Sequence, residues 1–203
     1  TNVTFYAYDE AGRQKYVADA LNRTNRFEYD AVGRMIKTIY ANSSYTSNYF
    51  NGLGQRTVQV DQAGLATQFG YDVSGQLTSV AKPSVLDPEN SYNPATPTWG
   101  YQYDQYGRLA VTTDPKHHST TNTYDALGRP VSQWLPLGQT NLTKYNGLGQ
   151  VWQQFDFKRQ KTEFVYDRYG RVKAKFLFNA DATYPSNAVC YLFKQLGQLT
   201  NTV

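Results

Sequence analysis

Carboxylate and guanidinium side chains recur at a fixed spacing along this 203-residue chain, and they are the groups with the greatest potential for chemistry. An aromatic residue is followed by Asp or Asn, two variable residues, Gly, and Arg or Gln, as in Tyr8, Asp9, Gly12 and Arg13. A row of carboxylates could bind calcium. Calcium-binding repeats, however, need several Asp and Gly residues in every nine, and one Asp per turn supplies too few ligands. We therefore expect these Asp residues to form turns rather than a metal site.

The repeated Arg residues could bind phosphate groups. The chain has a net charge of +4 and an isoelectric point near 9.0, which is compatible with an acidic polysaccharide or a nucleic acid. The Arg spacing follows the repeat, however, and not the groove of any nucleic acid. We expect these side chains to hydrogen-bond to neighbouring turns and carbonyls, and we expect no nucleic-acid partner.

The other reactive side chains do not form a catalytic set. His117 and His118 are adjacent, and adjacent strand residues point to opposite faces, so a joint metal site is not expected. The sequence has no Gly-x-Ser-x-Gly motif, no phosphate-binding glycine loop and a single cysteine, Cys190. No stretch approaches 18 apolar residues, so no membrane span is expected. We expect no catalytic residue, no metal, no cofactor and no enzymatic activity.

The motif organises the whole chain. Its aromatic residues are separated by 21, 21, 21, 32, 21, 21, 21 and 27 positions, and a fixed period of this kind marks a repeat architecture. A degenerate ninth copy occupies residues 193–198. The eight clear copies contain Tyr8, Asp9, Gly12 and Arg13; Tyr29, Asp30, Gly33 and Arg34; Phe50, Asn51 and Gly54; Tyr71, Asp72 and Gly75; Tyr103, Asp104, Gly107 and Arg108; Tyr124, Asp125, Gly128 and Arg129; Tyr145, Asn146 and Gly149; and Tyr166, Asp167, Gly170 and Arg171.

Each repeat reads as a β-hairpin. The Asp or Asn that begins the motif and the Gly three residues later are typical of a tight turn, with Gly at positive φ. Aromatic residues two positions apart, such as Phe27 and Tyr29, share one face of a strand. Second turns that begin with Asp are expected ten or eleven residues after the first in alternate repeats, at 19–22, 61–64, 114–117 and 156–159, and other repeats carry 41–44 or 135–138 at this place. The predicted fold class is all-β, with tandem β-hairpins forming a curved, spiralling ribbon. A short helix over residues 186–199 is the one local alternative.

A longer period divides the repeat array at 1–203 into two halves. Adding 95 to a position in the first four repeats reaches the equivalent position in the next four, as from Tyr8 to Tyr103. The halves are predicted at 1–98 and 99–192, followed by the degenerate repeat, with looser segments at 82–99 and 179–187. Either a tandem duplication explains this longer period, or four repeats make one structural turn.

The motif resembles the YD-repeat, or Rhs-repeat, family over essentially the whole chain. The resemblance rests on Tyr-Asp-x-x-Gly-Arg at 8, 29, 103, 124 and 166 and on the in-phase copies between them. It implies a ribbon of hairpins that spirals into a hollow shell, as in bacterial Rhs polymorphic toxins, the B and C components of insecticidal toxin complexes, and teneurins. In the bacterial members such a shell encloses a toxin domain, and in teneurins it serves adhesion.

These resemblances imply a structural role, with further YD repeats and an enclosed toxin polypeptide as partners and a secreted or cell-surface location. The Asp-Pro-x-Gly motif that closes bacterial toxin shells is not matched at Asp87-Pro88 or Asp114-Pro115, so no autoprotease is expected in this segment. The alternative function is an extracellular adhesion or carbohydrate-binding module whose exposed Tyr and Trp residues stack on sugars.

Overall fold

The fold consists of antiparallel β-strands joined by tight turns. The computed structural model describes residues 3–83, 96–180, 186–193 and 199–202, with backbone alone beyond Asn187. Its strands are β1 (Phe5–Tyr8), β2 (Gln14–Ala18), β3 (Thr24–Tyr29), β4 (Met35–Ile39), β5 (Tyr45–Phe50), β6 (Arg56–Val60), β7 (Ala66–Tyr71), β8 (Leu77–Ala81), β9 (Thr98–Tyr103), β10 (Leu109–Thr113), β11 (Ser119–Tyr124), β12 (Pro130–Trp134), β13 (Thr140–Tyr145), β14 (Val151–Phe155), β15 (Lys161–Tyr166), β16 (Val172–Phe178), β17 (Asn187–Phe193) and β18 (Leu199–Thr202). The predicted all-β fold of tandem hairpins is confirmed.

The chain divides into two compact units, Thr1–Tyr101 and Gln102–Val203, and β9 crosses the division. In the first unit, β1 to β8 form an antiparallel meander in which each strand pairs with the next. In the second, β10 to β18 do the same. The boundary predicted from the sequence, between residues 98 and 99, lies a few residues earlier.

A β-bulge marks the hairpins that carry the aromatic motif. In the β3–β4 pair, Phe27 faces Thr38 and Glu28 faces Lys37, but the register shifts before Tyr29, which faces Met35. The same shift recurs at the motif aromatic of other hairpins, including Tyr124 and Tyr145. A three-residue loop that closes on a residue with positive φ produces a bulge of this kind. The turn and bulge of each motif hairpin therefore fix the pairing register of its two strands.

The structure has little buried core. Among the residues whose side chains are described, Ala18, Ser47, Gln153, Ala174 and Phe178 are at most 9% exposed, and none is below 2%. Within each unit, contacts between strands join sequence neighbours. Stability must therefore come from ladder hydrogen bonds and cross-strand side-chain pairs rather than from a second packed layer.

Two predicted loop regions differ in extent from the structure. The looser segment at 82–99 ends earlier, because Thr98 and Trp99 already belong to β9. Asn187, placed in the segment at 179–187, begins β17, which also takes the place of the alternative helix at 186–199. Residues 84–95, 181–185 and 194–198, which include most of the degenerate repeat, lie outside the described residues, as does the side chain of Cys190.

Candidate functional site: the repeated turn and its contact with the next repeat

The repeated motif folds into one turn geometry. The backbone N–H of Asp9 donates to the carbonyl of Arg13 at 2.8 Å, and the N–H of Gly12 donates to the carbonyl of Asp9 at 3.0 Å. The φ angle of Gly12 is +75°, and those of the other motif glycines lie between +79° and +87°. The positive φ predicted at these glycines is observed. Only glycine takes this conformation without steric cost, so its recurrence follows from the turn.

The acidic side chain closes each turn from within. In the first copy, Oδ1 of Asp9 accepts the backbone N–H groups of Ala11 and Arg13 at 3.0 and 2.9 Å, while Oδ2 accepts Nε of Arg13 at 2.7 Å. The same carboxylate–guanidinium pair forms at Arg34, Arg108, Arg129 and Arg171. Each motif carboxylate therefore has hydrogen bonds from its own turn, which is what a turn former requires.

Two copies replace this ion pair with a neutral one. Asn51 accepts the same two backbone N–H groups, and its Nδ2 donates to Oε1 of Gln55 at 2.7 Å. Asn146 and Gln150 repeat the arrangement with a distance of 2.9 Å. The exchange is visible in the sequence, because both Asn copies end in Gln. This pairing of Asn with Gln was not among the predictions made from the sequence.

The hydrogen bonds of the turn lower the pKa of the carboxylates. For Asp9 the largest influence is the hydrogen bond from the backbone N–H of Arg13, which lowers the pKa. Partial desolvation raises the pKa, but the hydrogen bonds from the backbone and side chain of Arg13 outweigh it, so the pKa lies below its usual value. Asp19 and Asp114, which begin second turns, have a lowered pKa for the same reason, with backbone N–H groups from Arg23 and His118. In four further copies desolvation is the largest influence and raises the pKa, but backbone and Arg hydrogen bonds together outweigh it and the pKa is lowered: Asp30, Asp104, Asp125 and Asp167.

The guanidinium groups of four motif arginines, Arg13, Arg34, Arg108 and Arg129, lie on the aromatic ring of the next repeat. The guanidinium carbon is 4.8 Å from the Tyr29 ring centroid for Arg13, and 4.6 Å from the Phe50 centroid for Arg34. In the second unit, Arg108 lies 4.7 Å from the Tyr124 centroid. These separations are those of a cation–π contact. The Asp of the turn thus holds an Arg that is stacked on the following repeat.

Side-chain donors also reach backbone carbonyls of the following turn. Nη1 of Arg108 donates to the carbonyl of Asp125 at 3.1 Å. Where Gln replaces Arg, Nε2 of Gln55 donates to the carbonyl of Gly75 at 3.1 Å. Arg and Gln at this position can therefore each form a hydrogen bond to the next turn.

The motif tyrosine bonds back to the previous repeat. Its hydroxyl donates to a backbone carbonyl fifteen residues earlier, at 2.9 Å from Tyr29 to Gln14 and at 3.0 Å from Tyr124 to Leu109. Phe50 has no hydroxyl, and in that repeat the amide of Asn48 approaches the equivalent carbonyl, that of Met35, at 3.5 Å. In the repeats of Tyr29 and Tyr124, the tyrosine bonds to the previous repeat and the arginine five residues later stacks on the next one.

The second turns keep the same backbone geometry with other residues. Positive φ occurs here at Gly64 and Gly138 and also at four non-glycine residues: Asn22, Ser43, His117 and Arg159. The turn predicted at 41–44 lies one residue earlier, because Ser43 donates to the carbonyl of Tyr40. Tyr40 therefore occupies the position that Asp holds in most other second turns. Without an Asp to mark the first residue, the start of this turn was predicted one residue too late.

The turns leave apolar residues exposed at their tips. The residue before the motif Gly is 74% exposed at Val32, 80% at Leu53 and 86% at Leu148. One such side chain recurs in most repeats, roughly two strand spacings, or about 10 Å, apart. An apolar row of this kind is typical of a surface that meets another part of an assembly.

Two further observations concern metals and membranes. Among the described residues, no three His, Cys, Asp or Glu side chains are grouped closely enough to hold a metal ion. In the same part of the chain, no helix has the length and apolar character needed to cross a membrane.

The fold is similar to that of several solved structures. No protein-family model and no curated protein sequence matches the chain. The crystal structures of TcdB2-TccC3 and of TcdB2-TccC3-TEV match it with a TM-score of 0.74 at 18% identity, covering 98% of this chain and 11% of the other. A Photorhabdus luminescens Tc holotoxin pore with a mutated TccC3 matches with a TM-score of 0.72 at 16% identity, covering 97% and 11%.

The likeness is one of fold. It is consistent with the YD-repeat, or Rhs-repeat, β-sheet that the motif resembles. This chain spans about 11% of the length of the chains that it matches.

Proposed function

We propose that this chain is a section of a repeat-built wall that encloses a cargo polypeptide. The observation that carries the proposal is the use of the motif residues: the Asp and Gly residues bond within their own turns, and most of the motif Arg and Tyr residues contact the adjacent repeat. Arg108, for example, pairs with Asp104 in its own turn and stacks on Tyr124 in the next. Side chains used in this way extend a sheet, and they are not positioned to act on a substrate.

The similar structures support an architectural role within a larger assembly. TcdB2-TccC3 and the Tc holotoxin pore are toxin complexes, and the matched region is a small part of each chain. We propose by analogy that further YD repeats and a toxin polypeptide are the partners of this chain. The location that fits such a complex is secreted or at the cell surface.

The exposed turn tips fit the same proposal. Val32, Leu53, Leu127 and Leu148 would be costly as permanently hydrated surface, whereas neighbouring sections of a wall would cover them. The proposed wall section has no catalytic activity of its own. Any reaction of the assembly would belong to the enclosed polypeptide.

Protease protection of the cargo tests the proposal. In the parent protein, the polypeptide next to the repeats should resist limited proteolysis while the repeats are intact. A double variant, Arg129→Ala with Tyr145→Ala, should open the wall and expose that polypeptide, whereas the control Lys158→Ala should leave it protected. If that polypeptide were digested as fast in the wild-type protein and the control as in the double variant, enclosure would be contradicted.

The alternative, an extracellular adhesion or carbohydrate-binding module, stays a prediction.

A further inference from the structure

Two motif turns contain the dipeptide Asn-Gly, at Asn51-Gly52 and Asn146-Gly147, and the sequence has no other. In this dipeptide the backbone nitrogen of glycine can attack the side-chain carbonyl carbon of asparagine, because glycine has no Cβ to obstruct the approach. The attack closes a succinimide ring and releases ammonia, and water later opens the ring. Both turns therefore contain an asparagine that can be modified without an enzyme.

The fold does not require glycine after the motif asparagine. A Cβ added to Gly52 or Gly147 meets no atom within 4 Å, and neither residue is among the glycines with positive φ. The six copies that begin with Asp have a side chain at this position: Glu10, Ala31, Val73, Gln105, Ala126 and Arg168. Asparagine and the unobstructed residue that makes it reactive thus occur together in the neutral turns.

Hydrogen bonds hold the Asn51 carboxamide in the folded turn. Its Oδ1 accepts the backbone N–H groups of Leu53 and Gln55, each at 3.0 Å, and its Nδ2 donates to Oε1 of Gln55 at 2.7 Å. Hydrogen bonds to a carbonyl oxygen lie near the carbonyl plane, whereas a nucleophile approaches the carbon from outside that plane. Attack would tilt the carboxamide out of this plane, and the departure of Nδ2 would break the third bond. The folded turn therefore opposes ring closure.

The glutamine of each neutral turn is also anchored on the following repeat. Nε2 of Gln55 donates to the carbonyl of Gly75 at 3.1 Å, and Nε2 of Gln150 donates to the carbonyl of Gly170 at 3.3 Å. Oε1 of the same Gln150 accepts Nδ2 of Asn146 at 2.9 Å. The group that restrains each asparagine therefore depends on the adjacent repeat staying in place.

The two products of ring opening differ in how they fit the turn. Water that attacks the former Cγ gives Asp, and the chain already accommodates Asp before Gln. Oδ1 of Asp72 accepts the backbone N–H groups of Ser74 and Gln76, each at 2.9 Å. Water that attacks the backbone carbonyl gives isoaspartate, in which the main chain runs through the side-chain carbon and is one methylene longer. The longer chain would disturb the register that the turn and bulge fix.

We propose that Asn51 and Asn146 are deamidation sites that the intact array keeps closed and that detachment of the next repeat opens. Once the glutamine leaves, the carboxamide is free to rotate and the glycine nitrogen bonds to Cγ. The Cγ–Nδ2 bond breaks, the proton of the glycine nitrogen passes through water to the departing group, and ammonia leaves. Water is the only other reactant. The modification records that a hairpin has opened, whether or not the wall encloses a cargo.

Incubation of the chain in mildly alkaline buffer, with and without guanidinium chloride, followed by peptide mapping with mass spectrometry, tests the proposal. In the unfolded chain both sites should convert faster than Asn42, an exposed asparagine followed by Ser43. In the folded chain conversion should be slower by about tenfold or more, because a turn that opens only transiently spends little time in the reactive form. Equal rates in the folded and unfolded chains, or unfolded rates no higher than that of Asn42, would overturn the proposal.

Gln55→Ala separates the local restraint from overall folding. In the folded chain it should speed conversion of Asn51 by about fivefold, the change in open population expected when one ordinary hydrogen bond is lost. Asn146 lies in the other unit with its own glutamine, so its rate is the internal control and should not change. The proposal is overturned if Asn51 converts no faster in Gln55→Ala, or if both sites accelerate equally, since protection would then come from global folding.

Discussion

The guanidinium carbon of Arg129 lies 4.2 Å from the ring centroid of Tyr145, sixteen residues further along the chain. The same Arg is held by Asp125 of its own turn at 2.6 Å, and Tyr145 donates its hydroxyl back to the carbonyl of Pro130 at 2.9 Å. Two adjacent repeats are thus joined through one pair of residues in both directions. In a sheet with little buried core, such contacts decide whether neighbouring hairpins stay in register.

Loss of the stacked guanidinium should destabilise the array. We expect Arg129→Ala to lower the free energy of unfolding by about 1 kcal/mol, the size of a partly exposed cation–π contact. Urea denaturation followed by circular dichroism measures the change. Lys158→Ala, which removes an exposed cation from another turn, is the control and should change stability by less than about 0.5 kcal/mol. An equal loss in both variants would assign the effect to net charge.

The tyrosine hydroxyl should contribute in proportion to its hydrogen bond. Tyr29→Phe removes the donor to the Gln14 carbonyl and should cost about 1 kcal/mol of unfolding free energy. Phe50→Tyr supplies a donor where the sequence lacks one and should stabilise the chain by up to about 1 kcal/mol. Tyr49→Phe, at an exposed tyrosine of the same strand, serves as the control. If Tyr29→Phe and Tyr49→Phe gave the same small change, the repeated hydroxyl bond would not matter for stability.

The motif glycine can be tested where sterics play no part. A Cβ added to Gly12 meets no atom within 4 Å, so Gly12→Ala carries only the cost of its φ, about 1–2 kcal/mol. Gly52 is equally open and is not among the glycines with positive φ, so Gly52→Ala should be neutral or slightly stabilising. Thermal unfolding of the two variants compares them directly. A Gly12→Ala variant as stable as Gly52→Ala would contradict the turn geometry.

The lowered pKa of the motif carboxylates predicts acid sensitivity. These groups have a pKa below 3.8 in the folded chain, so the unfolded state binds more protons near pH 4. Their contribution is complete above the unfolded pKa and is lost as the pH falls through the lower folded pKa. Stability should therefore be flat with respect to these groups at neutral pH and decrease below about pH 4. Denaturation midpoints measured between pH 7 and pH 2 follow this loss.

The Asn–Gln repeats supply the matched control for acid sensitivity. The double variant Asp125→Asn with Arg129→Gln converts one ion-paired turn into the neutral pair seen at Asn146 and Gln150. It should fold at pH 7 and lose less stability between pH 4 and pH 2 than the wild-type chain. Asp125→Asn alone leaves Arg129 without its carboxylate partner and should be less stable at pH 7 than the double variant. An unchanged acid profile in the double variant would show that this carboxylate does not contribute to the acid response.

Local chemistry allowed most of the fold to be predicted from the sequence. The Asp-x-x-Gly spacing specifies a tight turn, and the aromatic pairs two residues apart specify strands, so the hairpins and the positive φ at Gly12 followed. The turn near residue 41 was misplaced by one position because Tyr40 stands where other repeats have Asp. The segment at 82–99 was drawn too long because its Pro and Asn residues obscured the start of β9.

The contacts between repeats were harder to predict. An Arg in a turn can bond to many carbonyls, and nothing in its own repeat shows that it stacks on the next Tyr. The spacing from Arg13 to Tyr29 acquires that meaning only when the bulge and the strand register bring the two side chains together.

The sparse core has a mechanical consequence. Among the described strands of each unit, contacts join sequence neighbours, so a force applied along one strand is not shared by a packed interior. Pulling on an end should detach one hairpin at a time, and each event in a 21-residue repeat should release about 70 Å of extended chain. Such a chain unfolds in small steps and can refold onto the last intact hairpin.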